Sequence, residues 1–164
     1  MTKLSEIEIR YSTEADLPGL FAIDQQIWNS KNSPGPILAQ TLTAYATNYP
    51  VGSQLVAVAG TQVLEMISWN PLPPFVSARF TWDIGIGVAT AAQHQGVGQQ
   101  LMRRLKLEAQ QRGIHRIELN VLSTNPAARQ FYAQQGFQVE GVSRGAFYLD
   151  GQFVDDYSLA ILLD

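Results

Sequence analysis

The sequence predicts an α/β fold in which a mixed, largely antiparallel sheet of six or seven strands carries four helices. Three observations support this expectation: a central strand that runs into a glycine-bearing helix start, several segments with strand alternation, and several with the three- and four-residue spacing of amphipathic helices. In chain order these elements are β-α-α-β-β-β-α-β-α-β-β. The 164 residues, of which 46% are hydrophobic, can bury a core of ordinary size, so we expect one domain over residues 1–164.

The first part of the chain predicts a strand followed by two helices. Residues 7–11 alternate like a short strand. Thr13 followed by Asp16 three residues later is a capping signature, so a helix should begin near Thr13. That helix should end before the segment 29–36, which is rich in helix breakers. Residues 37–47 predict a second helix.

Two pairs of strands are joined by turn signals. Residues 55–59 and 63–69 flank a Gly-Thr-Gln turn and predict a hairpin. Residues 137–148 and 152–163 flank Asp150-Gly151, which is a strong hairpin signal. The chain should therefore end in a long two-stranded ribbon.

The rest of the chain is organised around residues 81–99. The first half has strand periodicity, with apolar residues alternating with Asp83, Gly85 and Gly87. The two glycines leave one face bare enough for a ligand or another backbone to approach. The second half has helical spacing, with an apolar stripe at Val97, Leu101, Leu105 and Ala109. Residues 93–98 therefore fall where the first helical N–H groups lack an intrahelical acceptor, and such donors suit a phosphate or pyrophosphate.

The segment after residue 99 predicts a further strand and a further helix. Residues 114–121 predict a strand on which Glu118 and Asn120 face a different side from Ile117, Leu119 and Val121. Asn125 then suits a helix cap, with Pro126 at the first helical position. On that helix Phe131 and Tyr132 point about 100° apart, so one can enter the core while the other faces a cleft.

Composition argues against several classes of protein. With 11 basic and 14 acidic residues the chain lacks the positive field that drives nucleic-acid binding. No apolar run approaches the roughly 20 residues that a membrane-spanning helix needs, so no membrane partner is expected. The absence of cysteine and of an N-terminal leader pattern favours a cytoplasmic protein. Neither histidine stands at metal-ligand spacing, so no metal is expected.

The spacing of these motifs resembles a known family. Val88-x4-Gln93-x2-Gly96-x-Gly98, followed by Asn125-x2-Ala128-x2-Phe131-Tyr132-x3-Gly136-Phe137, is similar to the acetyl-CoA-binding core of the GNAT superfamily of N-acetyltransferases. The terminal ribbon resembles a branch with ribosomal-protein-serine acetyltransferase-like proteins and bacterial L-amino-acid N-acetyltransferases. The resemblance implies the GNAT (acyl-CoA N-acyltransferase) fold. It also implies an enzyme that transfers acetyl from acetyl-CoA to a primary amine, on an amino acid or a peptide N-terminus, directly in a ternary complex.

The resemblance also implies where acetyl-CoA binds. A backbone N–H near the end of the fourth strand would stabilise the oxyanion at the thioester carbon, and the pantetheine amides would pair with the same strand. Gln93 stands where arginine is commoner in the family, so affinity would rest more on backbone N–H groups. The implied cofactor contacts are Ile86, Gly87, Val88, Gln93, Gln95, Gly96, Val97, Gly98, Gln99, Asn125 and Arg129.

Two catalytic roles are implied. Tyr132 stands at the position that serves as general acid in many relatives. Asn120 stands where related ribosomal-protein acetyltransferases carry a glutamate base, and an amide cannot accept a proton at neutral pH. Asp83 and Glu65 are the remaining candidates for the base. We prefer Asp83 because it lies on the cofactor strand, whereas a strand carboxylate such as Glu65 is expected to point to solvent.

The acceptor is less well encoded than the cofactor. In GNAT folds the two helices after the first strand commonly wall the acceptor site, so Trp28, Tyr45 and Tyr49 are candidate acceptor contacts. Dimers are common in the superfamily, which leaves a homodimer open. A different class also stays open: a catalytically silent acyl-CoA-binding or regulatory module, favoured by Asn120 and opposed by Tyr132.

Overall fold

The computed structural model describes residues 6–35, 41–71, 75–89 and 92–164. The four helices occur at the predicted places in the chain order, and the observed bounds shift by only a residue or two for most elements. The elements are β1 (Ile7–Tyr11), α1 (Leu17–Ile27), α2 (Leu42–Asn48), β2 (Gln54–Ala59), β3 (Gln62–Pro71), β4 (Thr81–Val88), α3 (Val97–Gln111), β5 (Arg116–Leu122), α4 (Pro126–Gln134), β6 (Gln138–Leu149) and β7 (Gln152–Leu162).

All of these strands belong to one seven-stranded sheet with the order β1-β2-β3-β4-β5-β7-β6. β1 with β2, β2 with β3, β5 with β7 and β6 with β7 pair antiparallel. β4 and β5 pair parallel, as strands joined through a helix do. The predicted mixed, largely antiparallel sheet is confirmed, with the larger of the two strand counts.

The described residues group into two compact units. The first comprises described parts of Met1–Ile27, Ile37–Trp69 and Gly85–Glu108. Its core joins α1 and α2 to β2 and β3 through Leu20, Ile23, Tyr45, Val56, Val58, Val63 and Met66. The second comprises described parts of Trp28–Pro36, Asn70–Ile84 and Ala109–Asp164. Its buried side chains include Trp82, Ile84, Ile117, Leu119, Leu122, Val154 and Leu159.

The start of the first helix is fixed by a charged cap. The Asp16 carboxylate accepts hydrogen bonds from the Thr13 backbone N–H at 2.7 Å and from the Thr13 hydroxyl at 2.9 Å. The Arg10 guanidinium donates two further bonds, at 2.6 and 3.0 Å, which lower the pKa of Asp16 to about 2. The predicted start near Thr13 is confirmed, although the first turn is a 3₁₀ turn and α1 begins at Leu17.

α2 and α4 begin at side-chain caps, and the start of α3 is marked by its buried apolar stripe. α2 starts at Leu42, where the Thr41 hydroxyl accepts from the Ala44 N–H; the predicted start at residue 37 lies outside the described residues. In α3 the predicted stripe is confirmed, since its members Val97, Leu101, Leu105 and Ala109 are all buried. α4 begins as predicted, with Asn125 as cap and Pro126 at the first position. No helix in the described part of the chain is long and apolar enough to cross a membrane.

Candidate active site

The two faces of β4 are defined by the packing around its glycines. A Cβ added to Gly87 would lie 2.7 Å from both Ile27 Cδ1 and Met66 Cε, and one added to Gly85 would lie 3.5 Å from Ser68 Oγ. Because alternate strand residues share a face, Asp83, Gly85 and Gly87 lie on one face of β4, which we call the glycine face. The sequence predicted that this face would be open to a ligand or another backbone. That prediction is wrong at Gly87, because Ile27 of α1 and Met66 of β3 fill the space that a side chain would occupy.

β4 pairs with β5 over only the first three residues of the strand. The parallel register runs from Thr81 opposite Arg116 to Asp83 opposite Glu118, and in the described residues it goes no further. On the side of β3, the Ala89 N–H donates to the Leu64 carbonyl at 2.8 Å. The stretch of β4 that carries Ile86, Gly87 and Val88 is therefore in strand conformation without a β5 partner.

The connection from β4 to α3 turns twice through the left-handed region. His94 has φ +62° and Gly96 has φ +75°, and Gln93 and His94 are exposed. Chain segments that alternate in this way can direct backbone N–H groups to one side, and the first turn of α3 adds N–H groups with no intrahelical acceptor. The buried side chain of Val97 anchors the helix start. The segment 93–99 thus has the backbone form expected of an anion site, with no charged side chain of its own.

Glu65 lies on the face opposite the glycine face. Its neighbour Met66 contacts the position of Gly87, so Glu65 points the other way. Its cross-strand partner is Ala57, and the same face carries Tyr11, whose hydroxyl donates to the Glu108 carboxylate of α3. Glu65 is only 2% exposed, and burial raises the pKa of its carboxyl to about 8.

The expectation that Glu65 points to solvent is therefore wrong. β3 is an interior strand of the sheet, and side chains of both faces are buried along it, from Val63 to Ile67. When both faces of a strand are covered, sequence alternation no longer identifies an exposed side.

Asp83 lies on the glycine face, directly opposite Glu118 in the parallel register. Asp83 is half-buried, and its pKa is raised first by burial and then by the negative charge of Glu118. Glu118 accepts from Arg116 Nε at 2.7 Å, while the other guanidinium nitrogens of Arg116 bind Glu140 at 2.8 and 2.5 Å. A carboxylate with a raised pKa is a better proton acceptor near neutral pH.

The sequence predicted that Asn120 cannot act as a base, and its contacts agree with this. Its Nδ2 donates to Asp156 Oδ2 at 2.6 Å, which uses the amide as a donor. Sequence reasoning did not single out Glu118 as a partner of Asp83. The alternation of the sequence placed Glu118 and Asn120 on the same face of β5. It could not show which residues lie opposite them, because that depends on the registers of β5 with β4 and β7.

Tyr132 sits about two turns into α4, as predicted. Its ring makes edge contacts with Phe131 at 5.3 Å and Phe137 at 5.5 Å between centroids. The predicted division, with one of the two neighbouring rings in the core, is not observed because Phe131 and Tyr132 are both half-buried. Phe137, just after α4, supplies the buried aromatic ring instead.

The two remaining cofactor candidates on α4 already have protein contacts. Asn125 Oδ1 accepts from the Ala128 N–H at 3.3 Å as the helix cap. The Arg129 guanidinium lies 4.2 Å from the centroid of the Tyr157 ring, and its Nε is buried without a hydrogen-bond partner. Their cofactor role stays a prediction.

The acceptor-wall candidates are buried to different degrees. Tyr45 has 0% exposure, and its hydroxyl accepts from Gln54 Nε2 at 3.2 Å, so it presents no surface to an acceptor and is the weakest of the three candidates. Burial raises the pKa of Tyr45 to about 12. Tyr49 is half-buried, with its ring centroid 4.9 Å from that of Tyr45, and Trp28 is half-buried just after α1. Tyr49 and Trp28 remain candidates.

Comparison with known proteins identifies the family. The acetyltransferase (GNAT) family matches residues 10–137, which is most of the chain. The chain therefore belongs to the GNAT family of acetyltransferases, as its motifs predicted. None of the comparisons supports the catalytically silent module.

Two relatives and one structure of the same fold are similar to this chain over most of its length. The L-methionine sulfoximine/L-methionine sulfone acetyltransferase of Pseudomonas aeruginosa is 26% identical over 166 residues, which cover 95% of this chain and 94% of the relative. The ribosomal-protein-alanine N-acetyltransferase of Brucella melitensis has a TM-score of 0.82 at 28% identity, with 95% and 99% covered. The yncA protein of Salmonella typhimurium, solved with its cofactor acetyl-CoA, has a TM-score of 0.83 at 23% identity, with 97% and 95% covered.

Proposed function

We propose that this enzyme transfers the acetyl group of acetyl-CoA to the α-amino group of a small amino acid. The observation that carries the proposal is the pair of carboxylates Asp83 and Glu118, which are direct neighbours in the register where the β4–β5 ladder ends. A negative pair attracts a protonated amine, and its raised pKa suits one member to take a proton from that amine.

The relatives favour an amino acid as acceptor. The Pseudomonas aeruginosa enzyme is named for L-methionine sulfone, whose only amine is its α-amino group, and the two chains match over nearly their full lengths. The Brucella melitensis relative is named for a ribosomal protein, so a peptide N-terminus is the second candidate. A free amino acid and a peptide N-terminus both carry a primary α-amino group, so the same reaction can acetylate either.

The donor would lie along the unpaired stretch of β4. Its backbone groups past Asp83 have no β5 partner among the described residues, so they suit the amides of an extended pantetheine chain. The pyrophosphate would then meet the N–H groups of residues 95–99, at the turn that contains Gly96.

The reaction follows from these assignments. Asp83 accepts a proton from the ammonium group, and the free amine attacks the thioester carbon, which forms the new N–C bond. A backbone N–H near Gly87 or Val88 stabilises the oxyanion. Collapse of the intermediate breaks the C–S bond, and Tyr132 gives its hydroxyl proton to the departing thiolate. The new amide nitrogen releases its second proton to solvent, and the Tyr132 phenolate takes a proton back from solvent. No covalent enzyme intermediate is needed.

Glu65 is a poorer base than Asp83 in this scheme. It is buried on the face opposite Gly85 and Gly87, while Asp83 shares their face. A base has to come within hydrogen-bond reach of the amine, so geometry takes precedence over a favourable pKa.

The test is thiol release from acetyl-CoA with a panel of free amino acids and of short peptides with alanine or serine at the N-terminus. We expect release with amino acids, and each product should be acetylated at the α-amino group by mass spectrometry. Turnover with peptides alone would assign the acceptor to proteins. If the protein binds acetyl-CoA in calorimetry but acetylates none of these amines, the proposal is overturned.

We also propose, as the sequence predicted, that the chain forms a single domain and that the protein is cytoplasmic.

A further inference from the structure

Two side chains occupy the place where β4 lacks one. The Cβ position of Gly87 is 2.7 Å from Ile27 Cδ1, at the end of α1, and 2.7 Å from Met66 Cε, on β3. The nearest atom to the equivalent position of Gly85 is Ser68 Oγ at 3.5 Å, which is ordinary contact distance. Of the two glycines of β4, Gly87 is therefore the one whose missing side chain is replaced by apolar atoms of other elements.

The sulfur of Met66 has two polar partners. Its sulfur accepts from the Tyr45 hydroxyl at 3.6 Å and from Gln54 Nε2 at 3.4 Å. Tyr45 and Gln54 are both fully buried and hydrogen-bonded to each other. Methionine side chains usually adapt to their surroundings because three torsions are free. Both partners favour the torsions of Met66 that keep its sulfur within reach of Tyr45 and Gln54.

The chemistry of the proposed reaction directs the acyl group to this face. The attacking amine must approach the thioester carbon from the side on which its base lies, and Asp83 lies on the glycine face. On the opposite face the side chains of Ile86 and Val88 take up the space beside the strand. On the glycine face Gly85 is exposed and has no side chain, so an acyl group has room beside Gly85, next to the Ile27 and Met66 atoms that cover Gly87.

We propose that Ile27 and Met66 set the length of the acyl group that the enzyme transfers, and that Tyr45 and Gln54 act as positioning residues for Met66. The inference rests on the proposed function. The acetyl methyl group would lie against Ile27 Cδ1 and Met66 Cε, and a propionyl or butyryl chain would meet these atoms. The same packing that requires glycine at position 87 would then confine the donor to acetyl-CoA.

The sharpest test removes only the atom nearest to Gly87. Ile27→Val deletes only Cδ1, a small loss of buried volume, so the variant should fold. Ile23→Val is the matched control, because Ile23 is buried in the same core one turn earlier on α1. The measurement is kcat/KM for acetyl-, propionyl- and butyryl-CoA with one amine acceptor. Because one methylene in an apolar pocket changes discrimination by roughly 10–200-fold, Ile27→Val should raise the propionyl-to-acetyl ratio at least about tenfold.

Met66 is tested in the same way. Met66→Ala should raise the butyryl-to-acetyl ratio, and Tyr45→Phe, which removes one partner of the Met66 sulfur, should raise it less. If Ile27→Val and Met66→Ala leave the acyl ratios at the value of Ile23→Val, the inference is overturned. That result would leave the proposed function intact, since acetyl transfer itself would persist. Absence of acetyl transfer in the unmodified enzyme would instead count against the proposed function.

Discussion

Asp83 and Glu118 face each other across the last pair of the parallel ladder between β4 and β5. Both side chains are half-buried, and neither strand supplies a cation directly opposite Asp83. Arg116 pairs with Glu118 and Glu140, which are its partners among the described hydrogen bonds. Burial raises the pKa of Asp83, and the negative charge of Glu118 raises it further. In the proposed reaction this negative charge would attract the protonated amine.

The pair leads to a prediction about the pH dependence of the reaction. If Asp83 is the base, it must be ionised, so kcat/KM should rise with pH through its raised pKa. Glu118→Gln removes the neighbouring negative charge, which lowers the pKa of Asp83 and should move the acid limb to lower pH. Asp83→Asn should lower the rate by about 10²–10⁴-fold and abolish that limb. The measurement is the pH profile of kcat/KM for the three proteins. An acid limb that survives unchanged in Asp83→Asn would remove Asp83 from the mechanism.

A second prediction concerns the leaving group. Tyr132→Phe removes one hydroxyl and keeps the ring contacts with Phe131 and Phe137. Acetyl-CoA affinity, measured by calorimetry, should stay near the native value. Turnover should fall by about 10²–10⁴-fold where the chemical step limits the rate, because general acid catalysis contributes a factor of that size. Phe131→Leu is a control for loss of aromatic packing. Near-native single-turnover rates in Tyr132→Phe would show that another group protonates the thiolate.

Local patterns in the sequence predicted most of the fold. The capping signature at Thr13, the stripe that begins at Val97 and the Asn125-Pro126 helix start all depend on residues close in the chain, and all are confirmed. The Asp150-Gly151 turn likewise predicted the terminal ribbon, since a tight turn fixes the pairing of the strands beside it.

The errors arose where distant elements decide the environment. Glu65 is buried because both faces of β3 are covered, and Tyr45 is buried because α2 packs it against Met66 and Gln54. The pairing of Asp83 with Glu118 depends on a register between strands that α3 separates. No local pattern carries that information, although the residues themselves were visible.

The segment 93–99 gives a third prediction. Gly98→Glu places a negative charge in the first turn of α3 beside the proposed pyrophosphate site, so it should weaken acetyl-CoA binding strongly. Gly98→Gln has nearly the same bulk without the charge and separates steric from electrostatic loss. Gly96→Pro should also weaken binding, because proline cannot adopt the φ of +75° found at Gly96 and has no N–H to donate. Calorimetric titration of the folded variants provides the measurement. Equal affinities in Gly98→Glu and the native protein would place the pyrophosphate elsewhere.

The two glycines of β4 should differ in their tolerance of a side chain. Gly87→Ala brings a methyl group to 2.7 Å from Ile27 and Met66, so it should destabilise the fold by about 1–3 kcal/mol through overpacking. Gly85→Ala meets only Ser68 Oγ at 3.5 Å and should be nearly neutral. Urea unfolding of both variants measures the difference. Similar stabilities would mean that Ile27 and Met66 move aside at little cost.

The last prediction concerns the buried carboxyl of Glu65. Burial raises its pKa in the folded protein to about 8 from an ordinary value of 4.5, so the folded state holds a proton that the unfolded chain loses. Between these two values the folded state binds more protons, and the free energy of unfolding should fall as pH rises. The slope contributed by this group is at most about 1.4 kcal/mol per pH unit, and it should vanish above the folded pKa. Glu65→Gln keeps the shape of the neutral acid and cannot ionise. Its unfolding free energy should therefore match the native protein near pH 5 and exceed it near pH 8, by urea titration at each pH. If the difference between the two proteins does not change with pH, Glu65 does not remain protonated in the folded state.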